Sequence, residues 1–203
     1  MPGALIAFEG LDGVGKTTQV EYARRWLESI RRPVEVVQEP GSTPVGEAVR
    51  QLLLAGPPVR SAEAEFLLFS AARAELVRTR IAPALAAGYV VLADRFVDSG
   101  WAYQVYGRGI DPQWAACVNA GVLNGVAPAG VIWLRGRPHR PVGGDRMEQE
   151  EASFHRRVEE GYAQMAARGG ERWVAISSEA PPEVVFQAVQ QALRRWLAIP
   201  EEE

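Results

Sequence analysis

Gly10-Leu11-Asp12-Gly13-Val14-Gly15-Lys16-Thr17-Thr18 gathers three glycines, one ammonium and two hydroxyls in a single short stretch. The spacing fits G-x-x-x-x-G-K-[ST], and the apolar run Leu5-Ile6-Ala7-Phe8 leads straight into it. Glycines let the backbone turn so that successive N–H groups face a phosphate, and a following helix adds its positive end. In such a loop Lys16 reaches the β and γ phosphates of a nucleoside triphosphate, and Thr17 holds Mg²⁺ through its hydroxyl. Lys16 is the only lysine among 22 basic residues. A guanine-reading N-K-x-D motif needs a second lysine, so a conventional GTPase is disfavoured. The plain alternative, a glycine-rich turn without a ligand, gives no reason for the strand before the motif or the helical pattern after it.

A second chemical position is Asp94-Arg95, which closes the apolar run Tyr89-Val90-Val91-Leu92-Ala93. A carboxylate at the carboxyl end of a strand is suited to Mg²⁺ or its water, as in a Walker-B site. Taken alone, the pair also reads as a surface turn after a strand.

The elements that must hold these groups follow from periodicity. Five short apolar runs, residues 5–8, 34–37, 89–93, 131–134 and 173–176, are nearly continuous rather than alternating, the pattern of a parallel sheet covered on both faces. Val20, Ala23, Leu27 and Ile30 mark an amphipathic helix that ends before Pro33. Residues 62–87 read as one helix or two with Pro83 as a kink or restart, and 112–124, 150–167 and 182–197 are further helices. Strands alternating with helices give the fold class: α/β, a doubly wound five-stranded parallel sheet.

Taken in order, Phe8-Glu9-Gly10 through Thr18-Gln19, Glu39-Pro40-Gly41, Ala71-Ala72-Arg73, Asp94-Arg95-Phe96, Ser99 to Gln104, Gly107-Arg108-Gly109 and Asp145-Arg146-Met147-Glu148 resemble the thymidylate kinase family over almost the whole chain. The resemblance implies a P-loop nucleoside monophosphate kinase that moves the ATP γ-phosphoryl to dTMP, with Mg²⁺, as a homodimer. It implies that Arg95 bridges the two phosphates, that Phe69 stacks on thymine and that Arg73 bonds its edge. Positions 69 and 73 are i, i+4 neighbours on one helix face, which suits such a pocket. Ser99 corresponds to a base contact, Tyr103 to packing under the deoxyribose, Asp12 to the sugar 3′-hydroxyl and Arg50 to the acceptor phosphate. Gly100 and Gln104 lie on the same stretch and are placed in the pocket.

Gly13 stands where one type of thymidylate kinase carries an arginine, which implies the type with lid arginines. Arg135, Arg137, Arg140 and Arg146 are the candidates, Arg146 foremost. The lid, at about 135–150, is shorter than usual and interrupted by Gly and Pro. Arg135, Gln38 and Ser177 also replace residues the family commonly uses there. The expectation is an active kinase with a shortened lid, slower or leakier toward water. Two other readings stay open: a P-loop kinase with another acceptor, such as a deoxynucleoside, and a nucleotide-binding protein without turnover.

Composition sets outer bounds. At 203 residues, 47% of them hydrophobic, the chain reads as a single domain, 1–203. A net charge of -3 argues against a general nucleic-acid binder. One cysteine, Cys117, excludes an intrachain disulfide and reads as a small buried side chain; two histidines argue against a histidine metal site. No apolar run reaches a membrane span and the start lacks a secretory pattern, so the expected location is cytoplasmic.

Overall fold

A computed structural model describes residues 3–138 and 144–200. The strands β1 (Ala4–Glu9), β2 (Val34–Gln38), β3 (Val90–Asp94), β4 (Gly130–Arg135) and β5 (Trp173–Ser177) form one sheet in the order β2-β3-β1-β4-β5, all pairs parallel. All five expected strands are present with boundaries shifted by no more than about a residue. Side chains on successive strand positions point to opposite faces, so the sheet feeds two cores. Leu5, Ala7, Val91, Ala93, Val131 and Trp133 pack on one side with Leu76, Phe96, Tyr103, Phe154 and Tyr162. Ile6, Phe8, Leu92, Ile132 and Leu134 pack on the other with Val20, Leu27, Val185 and Val189. Burial on both faces is the reason the inner strands β1, β3 and β4 read as continuous apolar runs, whereas the edge strands leave Val36 and Ala175 exposed.

The helix α1 (Lys16–Ser29) follows the expected stripe, with Val20, Ala23 and Leu27 buried. Beyond α3 (Ala62–Leu76) the chain widens into a π-type turn at Val77–Ile81 before α4 (Ala82–Ala86). Pro83 sits just past that turn, where its missing N–H costs least. Later come α5 (Val97–Gly100), running into a π-type segment at Trp101–Gly107, then α6 (Pro112–Leu123), α7 (Ala152–Arg168) and α8 (Pro182–Trp196).

Helix α2 (Pro44–Leu54) was not expected. Its signal was local: Thr43 accepts a hydrogen bond from the Gly46 N–H at 2.9 Å, with Pro44 at the first helical position. Cys117 is exposed on α6 rather than buried, because α6 turns Ala115 and Asn119 inward instead. The loop after Arg135 is described as far as Pro138. His139, Arg140 and the closing Glu201–Glu203 lie outside the described residues.

The register decides what meets at the carboxyl edge. Phe8 and Gln38 both pair with Asp94, so the ends of β1, β2 and β3 are level. The chain crosses to one side after β1 and to the other after β3, and the crevice between them is the switch point of the sheet.

Candidate functional site

The loop after β1 enters that crevice. Gly10 has φ 136°, and a Cβ there would lie 2.2 Å from the Leu134 carbonyl, so β1 and β4 leave room only for glycine. Gly15, at φ 94°, opens α1 without a side-chain cap, and no acidic residue occupies the first turn. The first amides of α1 are therefore left for an anion. Lys16 Nζ donates to the carbonyls of Leu11 at 2.7 Å and Gly10 at 3.3 Å and lies 3.9 Å from Asp12. Burial, and then the nearby Arg95 charge, lower its pKa to about 8.

Beside the loop, Thr17 Oγ1 donates to Asp94 Oδ2 at 2.6 Å. A hydroxyl and a carboxylate in contact form an oxygen pair that could hold a hard divalent cation taking its other ligands from phosphates and water. Among the described residues no cluster of His, Cys, Asp or Glu could hold a metal by itself.

Arg95 follows with a left-handed backbone, φ 71°, and lies across the centre. Its Nη2 donates to Asp12 Oδ1 at 2.6 Å, its Nη1 to Ser99 Oγ at 3.1 Å, and its guanidinium lies 5.2 Å from the centre of the Tyr103 ring. Burial pushes the Asp12 carboxyl up, but Arg95 and then Lys16 outweigh it and hold it well below the usual range. Underneath, Glu9 accepts from the Phe96 N–H at 2.9 Å, from Ser99 Oγ at 2.6 Å and from Tyr162 Oη at 2.9 Å. These contacts fasten the turn that carries Arg95. Burial raises the Glu9 pKa despite Arg95. The sequence reading gave Glu9 and Tyr162 no role; Tyr162 comes from α7, far along the chain.

At the other end Arg73, 1% exposed, donates from Nε to Glu39 Oε1 at 2.8 Å and from Nη1 to Asn119 Oδ1 at 3.1 Å. Phe69, half-buried, lies one helical turn before it. Gly100 matters here, since a Cβ would come within 3.2 Å of Arg73 Nη2. Arg50 donates to the Pro40 carbonyl at 3.0 Å.

One cavity of about 860 Å³ connects these groups. Asp12 through Thr18 line it at one end, Asp94 and Arg95 at the middle, and Arg50, Phe69, Arg73, Ser99, Gly100, Tyr103 and Gln104 at the other. Gly10 and Leu11 stand behind the cup and do not line the cavity. Ser178 to Pro182, a stretch the sequence reading missed, also lines it and is tied to α1 by Gln19 Nε2 donating to the Pro182 carbonyl at 2.9 Å.

The lid arginines are placed differently from expectation. Arg146 donates to the Leu53 carbonyl at 3.0 Å, the Val59 carbonyl at 3.2 Å and Glu65 Oε2 at 2.9 Å, outside the cavity. A guanidinium so committed clamps the C-terminal part of the 135–150 segment to α2, α3 and the loop between them, and does not reach a transferring group in this arrangement. Arg135 and Arg137 are exposed and line no part of the cavity, and Arg140 is outside the described residues.

Comparison with known proteins agrees with this geometry. A family model described as thymidylate kinase matches residues 8–189. The chain is 43% identical to a thymidylate kinase of Pelotomaculum thermopropionicum, over 97% of this chain and 95% of that protein. It is 38% identical to one of Thermosynechococcus vestitus, over 96% and 90%. The crystal structure of thymidylate kinase from Ehrlichia chaffeensis superposes with a TM-score of 0.82 at 30% identity, covering 95% of this chain and 100% of that one.

Proposed function

The chain belongs to the thymidylate kinase family and is a nucleoside monophosphate kinase that turns ATP and dTMP into ADP and dTDP; we propose a division of this work among the residues of its cavity. The observation that carries the proposal is the continuity of that cavity, with the anion cup at one end, the aromatic and guanidinium pocket at the other, and Asp94 and Arg95 between them.

Phosphoryl transfer is chiefly positioning and neutralisation of charge. ATP enters over Gly13 to Thr18, and Lys16 exchanges its carbonyl partners for β- and γ-phosphate oxygens. Arg95, held by Asp12 and by the Glu9-fastened turn, lies where donor and acceptor phosphates meet. Phe69 stacks on the thymine, Arg73 bonds its edge, Tyr103 packs under the deoxyribose and Arg50 holds the acceptor phosphate. Thr17 and Asp94 fit Mg²⁺ arriving with the nucleotide; bound there, it would neutralise phosphate charge.

A homodimer is part of the same reading, supported by the exposed apolar stripe Ala64, Leu67 and Ala71 on α3. So are a cytoplasmic location and a single domain with a short lid. No described helix is long and apolar enough to cross a membrane.

The test is direct. The protein is incubated with ATP, Mg²⁺ and dTMP, dUMP, thymidine, dCMP or GMP in turn. Preferential formation of dTDP is expected, and product from thymidine but not from dTMP would overturn the assignment.

A further inference from the structure

Glu65 is a buried carboxylate, 1% exposed, that the mechanism above does not use. Its Oε1 accepts from Gln104 Nε2 at 3.0 Å and Arg108 Nε at 3.2 Å, and its Oε2 from Arg108 Nη2 at 3.2 Å and Arg146 Nη2 at 2.9 Å. A carboxylate offers acceptors only, so Gln104 must show it the amide NH₂. The opposite orientation would set two oxygens against each other in a buried place. Gln104 is itself buried, yet it lines the acceptor end of the cavity. Its Oε1 accepts no hydrogen bond among the described residues.

We propose that Glu65 fixes the polarity of Gln104 so that the pocket, which Arg73 also lines, presents an acceptor at Gln104 Oε1 and thereby selects 4-oxo over 4-amino pyrimidine nucleotides. The proposal rests on the dTMP reading and deepens it. A 4-oxo pyrimidine carries an acceptor at O4 next to a donor at N3–H, the complement of that wall. A 4-amino pyrimidine reverses both, putting an NH₂ before Arg73 and a bare N3 before Gln104. Glu65 is thus a positioning residue, held in turn by Arg108 and by Arg146 near the end of the lid segment.

The experiment is Glu65→Gln, with kcat/KM measured for dTMP, dUMP and dCMP. The new amide keeps its oxygen toward the two Nη2 donors of Arg146 and Arg108, since the opposite orientation would set its nitrogen against both, and shows its nitrogen to Gln104 and to Arg108 Nε, which loses that one acceptor. Gln104 then turns over, offering NH₂ to the base. The dTMP to dCMP ratio is expected to fall at least about tenfold, with kcat/KM for dCMP rising in absolute terms. A parallel loss on all three nucleotides with the ratio unchanged would overturn the proposal, since that is what a packing role alone produces. Should the variant not fold, Gln104→Met removes the acceptor at similar volume. KM for dTMP and dUMP is then expected to rise at least about tenfold while that for dCMP does not, and an unchanged ratio again overturns the idea. Failure of the wild-type enzyme to phosphorylate dTMP would instead strike the reading on which the proposal rests.

Discussion

Thr17 Oγ1 and Asp94 Oδ2 are 2.6 Å apart across 77 residues of sequence. The contact joins the first turn of α1 to the last residue of β3, and it exists because β1 and β3 are adjacent with Phe8 opposite Asp94. It brings together two oxygen donors from motifs that each look ordinary without the other.

Thr17→Val keeps the shape of that side chain and removes its hydroxyl. Turnover is expected to fall by roughly 10²–10³, with more Mg²⁺ needed for half-maximal rate and dTMP affinity unchanged. Steady-state rates across a Mg²⁺ series, with calorimetric dTMP titration, check this.

Lys16 is charged below about pH 8 in the free enzyme and neutral above it. An ammonium is the form that binds phosphate, so kcat/KM for ATP is expected to decline as pH rises through that value. The Asp12 charge opposes the lowering of the Lys16 pKa, so Asp12→Asn moves the midpoint to lower pH. Lys16→Ala loses turnover by orders of magnitude while dTMP still binds. A pH profile measured at subsaturating ATP separates these outcomes.

Arg73 and Glu39 form a buried ion pair at 2.5 Å, which makes a simple deletion of the arginine ambiguous. Arg73→Ala strands a buried carboxylate and should cost about 3–5 kcal/mol of stability as well as dTMP affinity. Arg73→Ala with Glu39→Gln is expected to recover much of the stability and none of the dTMP recognition. Chemical denaturation and dTMP binding on the same variants distinguish the two losses.

Asp98 is a buried acid whose pKa rises to about 7, through burial first and then the charge of Glu9; Arg172 and Arg73 oppose the shift and Glu39 adds to it. Its folded value lies above the unfolded one near 4, so the folded state holds its proton longer. Stability attributable to this group is full below about pH 4 and is lost as pH rises through about 7. Asp98→Asn is therefore expected to raise Tm at pH 8 more than at pH 5. Melting curves at the two values test it.

Much of the fold was legible because parallel strands buried on both faces must be continuous apolar runs, as at Val90–Ala93 and Val131–Leu134. The P-loop was legible because its glycines, lysine and threonine act over a few consecutive residues. Helix α2 was missed although Thr43-Pro44 marked its start, since without the fold that pair reads equally as a loop. Cys117 went to the wrong side because only the fold decides which face of α6 packs inward: Ala115 and Asn119 share that face, and Cys117, two residues after Ala115, lies opposite.

The sequence by itself determined where a phosphate cup forms, which strands carry it, and which family the chain resembles, since each depends on local spacing and on the order of motifs. Tertiary structure alone decided the partners of the buried charges. Glu9 meets Tyr162, Glu39 meets Arg73, and Glu65 meets Gln104, Arg108 and Arg146, each across long stretches of chain. It also withdrew Arg146 from the expected place at the phosphates. A guanidinium binds whichever acceptors the packing brings within reach, and no spacing in the sequence records that distance.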